Sequence, residues 1–145
     1  MNARLVITTQ YRENYGAHDW DGKGECPQYW KSKGGSEYLV AELTLSEIQA
    51  LGEAGIDALV EEARPVVEQN DEYATSYVID HNLYFGDEKT PDEEMYEEMK
   101  DYMGYNSKPP KMRTVAEVRE ADEAWQRERK QRETDEAWNE HRAVA

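Results

Sequence analysis

A chain of 145 residues, with 34% charged residues and a formal net charge of −15, is long enough for one domain with a modest core and too short for two ordinary ones. Ten tyrosines and four tryptophans supply apolar surface for burial, so the composition excludes wholesale disorder. Cys26 is the only cysteine, and no apolar run has the length of a signal peptide or a membrane span. We therefore expect a cytoplasmic protein without disulfides or membrane contact.

The net negative charge is confined to the middle of the chain. Residues 41–106 carry 18 acidic side chains against three basic ones, whereas residues 1–40 carry five of each and residues 107–145 carry nine of each. Because the flanks are electroneutral, the acidity is a local surface property. Such a segment repels nucleic acid and attracts basic surfaces, so we expect a basic protein partner and no direct binding of DNA or RNA.

Two strands and a long loop are predicted for the N-terminal part of the chain. Residues 4–11 are rich in β-branched side chains and predict a first strand, and residues 37–43 predict a second. The stretch between them, residues 12–36, contains five glycines and several aromatic side chains. Glycines at this density interrupt regular structure and the rings favour burial, so we expect an ordered loop packed by its own aromatic residues.

Helices and a third strand follow. Thr44 and Glu47 have the spacing of a capping box, which predicts a short helix that ends near Gly52. A second helix is predicted from about residue 56 until Pro65 kinks or ends it. Beyond it, residues 72–85 alternate in side-chain character and predict a third strand.

The segment that begins at Thr90 predicts a helix with two different faces. Thr90 is a typical N-cap, Pro91 fits the first helical position and Glu93 completes a capping box. Apolar side chains share one arc of this helix, and we expect that face to pack: Met95, Tyr96, Met99, Tyr102 and Met103. The opposite arc, here called the acidic strip, is either an ordinary solvated face or a partner-binding surface: Glu93, Glu94, Glu97, Glu98 and Asp101.

The C-terminal part is predicted to be a separate charged helix. We expect one α+β domain over residues 1–106, a linker at 107–112 and the helix at 113–142. Trp125 and Trp138 lie 13 residues apart in a repeated motif, which places them on different sides of an ideal helix. A single coiled-coil seam is therefore excluded, and Trp138 is a candidate contact for a homodimer through this helix.

A second candidate site is the aromatic loop, residues 15–35. Its candidate ligand-binding residues are His18, Asp19, Trp20, Asp21, Cys26 and Trp30. For calcium, Lys23 stands where an oxygen ligand is required, and for zinc His18 and Cys26 are too few unless a further histidine folds nearby. We therefore expect no metal and no cofactor, and expect the rings to fill the core.

No catalytic constellation is evident in the sequence. Cys26 is followed by Pro27 and lacks the helix-start context that lowers the pKa of a thiol. The glycines at 22 and 24 lack the spacing and the following helix of a phosphate-binding loop. We therefore expect a protein that is not an enzyme.

The run from Glu13 to Lys31, ENYGAHDWDGKGECPQYWK, lies within the first third of the chain. It resembles a segment of uncharacterised small acidic proteins of tailed bacteriophages. The resemblance brings no known activity and no functional residues. It implies a phage-type protein of the host cytoplasm, and small acidic phage proteins include inhibitors of host defence, among them DNA mimics that block restriction or CRISPR nucleases.

These patterns predict an α+β fold: a small antiparallel sheet of three or more strands packed with helices, plus an extended C-terminal helix. The leading hypothesis is a non-enzymatic protein whose acidic strip occupies a basic, nucleic-acid-binding surface of a host protein, as an anti-restriction or anti-CRISPR inhibitor would. The alternative is a phage accessory protein that binds a small ligand or metal, or performs catalysis, through the aromatic loop. Acids clustered on one face favour the first, and a deep pocket at the loop favours the second.

Overall fold

The computed structural model describes the backbone of residues 2–103 and 111–144 and the side chains of residues 2–100 and 111–140. The chain divides into two compact units, with the boundary between Val115 and Ala116. Residues 107–110 of the predicted linker lie outside the described residues. Lys111 and Met112, which complete that linker, belong to no helix or strand.

A five-stranded sheet forms the centre of the first unit. Its strands are β1 (Asn2–Asn14), β2 (Trp30–Thr44), β3 (Gln69–Asn70), β4 (Ala74–Phe85) and β5 (Arg113–Thr114). They are arranged in the order β3-β4-β1-β2-β5. β1 is central because it pairs antiparallel with both β2 and β4, and β5 adds to β2 in parallel.

Three helices complete the fold: α1 (Leu45–Val67), α2 (Pro91–Met103) and α3 (Val115–Val144). The predicted α+β fold, with a sheet of at least three strands and a long C-terminal helix, is confirmed, and the sheet is antiparallel except for the parallel pair of β2 and β5. The predicted capping box of Thr44 and Glu47 starts α1, and Gly52, at φ 63°, breaks the helical geometry, so the two predicted helices form one kinked helix. Pro65 lies within the last turn of α1 and does not end it. No helix in the described part of the chain is long and apolar enough to cross a membrane.

The main core lies between α1 and one face of the sheet. Leu5 and Ile7 of β1 are fully buried there and cluster with the inward side chains of α1: Ile56, Val60, Ala63 and Val67. Each fully buried aliphatic side chain of this kind contributes about 2 kcal/mol. Because side chains alternate along a strand, Arg4 and Val6 lie on the opposite face of the sheet, where Val6 is also buried.

β1 and β2 extend well beyond their predicted bounds of 4–11 and 37–43. Their polar ends pair through the backbone, with Arg12 opposite Ser32 and Asn14 opposite Trp30. The predicted loop at 12–36 is therefore wrong at both ends, and only residues 15–29 connect the strands. Gly35 is required inside β2 because a Cβ there would lie 1.7 Å from the carbonyl oxygen of Thr9.

β4 is shorter and less regular than the strand predicted at 72–85. It begins at Ala74, and its register with β1 shifts near Ile79, since Thr8 pairs with Asp80 and Thr9 with Val78. The shift leaves Ile79 unpaired with β1 and exposed, while Val78 packs against the core.

Candidate functional site

A polar cluster holds the start of α2 against the sheet. Thr90 is fully buried, and its hydroxyl donates a hydrogen bond to the carboxylate of Glu37 on β2. The backbone N–H of Asp92 donates to the other oxygen of that carboxylate at 3.5 Å. Thr90 and Glu93 form the predicted capping box, with hydrogen bonds of 2.9 and 3.3 Å between each backbone N–H and the other side chain.

Sequence reasoning missed the contact of Glu37 with the start of α2. Glu37 is only 8% exposed, and burial raises the pKa of its carboxyl, while the hydrogen bond from Thr90 opposes this shift. The one available signal was an acidic residue at the start of the predicted strand at 37–43. Nothing in the sequence shows that it meets the N-terminus of α2, 53 residues away.

Glu93, the first residue of the acidic strip, is engaged in an ion pair inside the chain. The Arg4 guanidinium donates to its two carboxylate oxygens at 2.8 and 3.0 Å. This hydrogen bonding to Arg4 is the main cause that lowers the pKa of Glu93. The charge of Glu93 is therefore compensated, and the residue's main contacts hold α2 to β1.

The remaining residues of the acidic strip face solvent. Glu94 and Glu98 are exposed, and neither forms an ion pair with the residues described by the structure. Glu97 lies 3.6 Å from the ammonium of Lys89. The side chain of Asp101 lies outside the described residues. Over its described residues, the strip therefore presents two carboxylates without an ion-pair partner and a third in a long, exposed ion pair.

The predicted packing face of α2 is wrong for Met95 and Met99, and the side chains of Tyr102 and Met103 lie outside the described residues. Met95 is 58% exposed and Met99 is 51% exposed, and only Glu93 and Tyr96 are half-buried over residues 91–100. α2 is held by polar contacts at its first turn, and these contacts turn the Glu93 and Tyr96 side of the helix toward the sheet. Met95 and Met99, four residues apart, form an apolar row on the surface of the helix.

The acids of the central segment do not cluster on one face. Among residues 41–100, every acidic side chain is exposed except Glu68 and Glu93, which are half-buried. α1 covers the sheet face that carries Leu5 and Ile7, whereas the first turn of α2 contacts Arg4 on the other face. The acids of α1 and α2 therefore lie on opposite sides of the sheet.

A cavity of about 450 Å³ lies beside α2. It is lined by Gly35, Ser36, Glu37, Tyr38, Lys89, Asp92, Glu93, Tyr96, Glu97, Lys111, Met112 and Arg113. The volume is within the usual range for ligand pockets. Its charged groups are of both signs, and Lys89 already pairs with Glu97. None of the candidate residues of the aromatic loop lines this cavity.

Asn14 fixes the conformation of the aromatic loop. Its buried amide nitrogen donates to the carbonyl oxygens of Pro27 and Glu72, each at 3.0 Å. Its amide oxygen accepts from the backbone N–H groups of Gly16 at 3.0 Å and of Tyr29 at 2.8 Å. A single side chain thus ties together both ends of the loop and the segment before β4.

The structure does not gather the predicted loop residues into one site. His18, Asp19 and Asp21 are exposed, and Trp20 and Trp30 are half-buried. The indole N–H of Trp20 donates to the carbonyl oxygen of Lys23, and that of Trp30 donates to Gln28. Within the described part of the chain, no three side chains of metal-binding type come together.

Cys26 is half-buried beside Asn14, whose amide nitrogen lies 3.7 Å from its Sγ. Burial is the main cause that raises the pKa of the Cys26 thiol, and the charge of Glu72 adds to it. The raised pKa favours a protonated thiol, which is a poor nucleophile and a poor metal ligand.

The C-terminal helix presents both tryptophans of the repeated motif to its surface. Trp125 and Trp138 are exposed. The guanidinium of Arg129 lies 5.5 Å from the ring centre of Trp125 and pairs with Glu133 at 3.3 Å. A homodimer through this helix stays a prediction.

Comparison of the chain with protein-family models, with curated proteins and with solved structures finds no match. No family is therefore assigned, and the resemblance of residues 13–31 to phage proteins stays a prediction. What the surface can do follows from its own groups: a helix fixed at its first turn, with exposed carboxylates and methionines along it.

Proposed function

We propose that this protein is a non-enzymatic, phage-type inhibitor whose α2 surface occupies a basic, nucleic-acid-binding surface of a host protein. The observation that carries the proposal is the pairing of charge and apolar surface on one short helix. Glu94 and Glu98 are exposed without an ion-pair partner among the described residues, and Met95 and Met99 are exposed beside them.

The methionines distinguish this surface from an ordinary solvated helix face. A solvated face needs only polar side chains, whereas Met95 and Met99 are each more than half exposed. Methionine is enriched in the cores of protein interfaces because its flexible thioether adapts to different neighbours. Carboxylates around an apolar row match a partner that has cations around an apolar groove.

The anchoring of α2 supports specific binding by lowering its entropic cost. The pair of Arg4 and Glu93 and the hydrogen bond between Thr90 and Glu37 hold the first turn of α2 to β1 and β2. A helix that is already ordered loses less conformational freedom on binding than a segment that folds on contact. Carboxylates on such a helix are presented in a fixed pattern, as phosphates are on DNA.

The acids on the other side of the sheet act at longer range. Arg64 already pairs with Glu61 and Glu68, but other acids of α1, such as Glu53 and Glu62, are exposed. Their field attracts a basic partner and raises the association rate, without contact. The α2 surface alone therefore determines the bound geometry.

The test compares two charge-neutralising variants with equal changes in net charge. Glu94, Glu97 and Glu98 of the acidic strip are replaced by glutamine in the first variant, and Glu53, Glu62 and Glu72 in the control. Binding is measured against the partner captured by the wild-type protein from a bacterial lysate and then purified. We expect the strip variant to bind at least about tenfold more weakly, mostly through slower association, and the control to change only modestly.

Two further measurements separate DNA mimicry from other binding. The wild-type complex should weaken as salt rises, and duplex DNA should compete with the protein for the partner, because both would engage the same cations. Equal binding by the strip variant and the wild type at low salt would refute the role of α2. Binding that DNA leaves unaffected would refute the mimic mechanism.

A further inference from the structure

Two lysines and two tyrosines form a separate cluster at the aromatic loop. The ammonium of Lys31 lies 5.2 Å from the ring centres of both Tyr15 and Tyr29, and the ammonium of Lys33 lies 4.6 Å from that of Tyr15. The tyrosine ring centres are 6.4 Å apart, and His18 packs edge-on against Tyr15 at 5.2 Å. The two lysines and two tyrosines, without His18, are called the lysine–tyrosine cluster.

The cluster stands on a rigid frame. The backbone N–H of Tyr15 donates to the carbonyl oxygen of Tyr29 at 2.8 Å. The backbone N–H of Tyr29 in turn donates to the side-chain oxygen of Asn14 at 2.8 Å. Lys31 and Lys33 extend from β2, which pairs with β1 in this region. The backbone that carries the two cations and the two rings is therefore ordered in the free protein.

Neither ammonium group has a counter-ion among the described residues. Among the side chains that the structure describes, Arg4, Arg64, Lys89 and Arg129 each pair with a carboxylate, whereas Lys31 and Lys33 contact no carboxylate within 4.0 Å. Glu13 stands opposite Lys31 on β1, yet its carboxylate binds the Nε2 of His18 at 3.2 Å. Both ammonium groups lie close to the ring of Tyr15, so an anion bound at this ring is attracted by both charges.

We propose that the lysine–tyrosine cluster binds the phosphate group of a small molecule. A phosphate monoester carries a charge of about −1.5 to −2 at neutral pH and so matches two ammonium groups, whereas a carboxylate matches one. The net charge of −15 repels large polyanions along their whole length, but a small anion responds mainly to charges within a Debye length of about 8 Å. The ring of Tyr29, which is 58% exposed, is available to stack on a base attached to the phosphate.

The test titrates the isotopically labelled full chain with inorganic phosphate and, separately, with adenosine monophosphate, at constant physiological ionic strength. NMR shifts of the backbone amides of Tyr15, Lys31 and Lys33 report binding. We expect saturable shifts with both probes and weaker binding of acetate. Equal affinity for both phosphate probes would assign recognition to the phosphate group, and tighter binding of adenosine monophosphate would add stacking; both results support the site.

Three variants make the assignment specific. The double variant Lys31→Met and Lys33→Met should bind phosphate at least about tenfold more weakly, because both charge-assisted contacts are lost. Lys89→Met removes an exposed lysine elsewhere in the chain and should bind as the wild type does. Glu13→Gln removes the negative charge opposite Lys31 and should tighten binding a few-fold.

The fold of each variant is checked by the dispersion of its amide spectrum, and the exposed positions of both lysines make folding of the double variant the expected result. Absence of saturable shifts in the wild type with either phosphate probe would overturn the proposal. Unchanged phosphate affinity in a folded double variant would overturn it as well.

Discussion

The guanidinium of Arg4 binds both carboxylate oxygens of Glu93, although the two residues lie 89 positions apart in the chain. Arg4 also donates to the carbonyl oxygen of Glu88 at 2.8 Å. One side chain of the central strand thus connects the sheet to both the turn before α2 and the helix itself. The proposed partner-binding surface depends on this connection, because it orients the exposed side of α2.

Replacement of Glu93 by glutamine should lower the free energy of unfolding by about 1 kcal/mol, since a bidentate but partly exposed ion pair is lost. The pKa of Glu93 is lower in the folded chain than its ordinary value, so the pair stabilises above that ordinary value. This stabilisation is lost as the pH falls through the folded-state pKa. The free energies of unfolding of the wild type and of Glu93→Gln, measured with urea over a pH series, should therefore become equal at acidic pH. Glu94→Gln is the matched control, and an equal loss there would contradict the role of Arg4.

Glu37 should show the opposite dependence on pH. Burial raises the pKa of its carboxyl, so the folded state favours the protonated form, and the residue opposes folding increasingly as the pH rises through the raised pKa. Glu37→Gln keeps the size and an acceptor for Thr90. We expect this variant to gain stability relative to the wild type as the pH rises from acid to neutral. Urea unfolding at both pH values measures the difference, and a relative loss of stability toward neutral pH would show that the Glu37 charge is favourable.

Asn14→Ala should lower the free energy of unfolding by roughly 2–4 kcal/mol. The substitution leaves the backbone N–H groups of Gly16 and Tyr29 and two carbonyl oxygens without their partner in a mostly buried setting. Limited proteolysis should then cut the loop at residues 15–29 faster than in the wild type. A loss below about 1 kcal/mol with an unchanged cleavage rate would mean that water replaces the amide.

Cys26→Ser should leave partner binding within a few-fold of the wild type and cost at most modest stability, because the thiol acts as a small packing residue. Binding assays and thermal unfolding of the variant test this expectation. Complete loss of function in a folded variant would instead indicate a nucleophile or a metal ligand. Metal analysis is an independent check, since stoichiometric zinc in the purified protein would contradict the scaffold role of the loop.

The protein should not bind duplex DNA or RNA. A surface of net charge −15 repels the phosphate backbone, and the cations at the lysine–tyrosine cluster are too few to offset this along a duplex. A gel shift at moderate salt should show no complex. Submicromolar binding to random duplex would contradict the prediction and would direct attention to the basic stretch at residues 127–132.

Features that depend on near neighbours in the chain were predictable. The hydrogen bonds of a capping box join residues three positions apart. Two helix starts could therefore be predicted without knowledge of the fold, from Thr44 with Glu47 and from Thr90 with Glu93. The three long strands β1, β2 and β4 were predictable from their side chains, whereas the two-residue strands β3 and β5 were not. The ends of the long strands were not predictable either, because Arg12 and Asn14 pair through backbone groups that every residue carries.

The sequence by itself determined the fold class, the starts of α1 and α2 and the confinement of charge to residues 41–106, because each is a property of composition or of local spacing. Only the tertiary structure decided which charges remain uncompensated and which apolar residues stay exposed. Arg4 neutralises Glu93, Lys31 finds no carboxylate among the described side chains, and Met95 faces solvent, because sheet register and the docking of α2 bring distant residues together. Contacts of this kind produce no recognisable pattern in the local sequence, because the residues that make them are far apart in the chain and are brought together only by the complete fold.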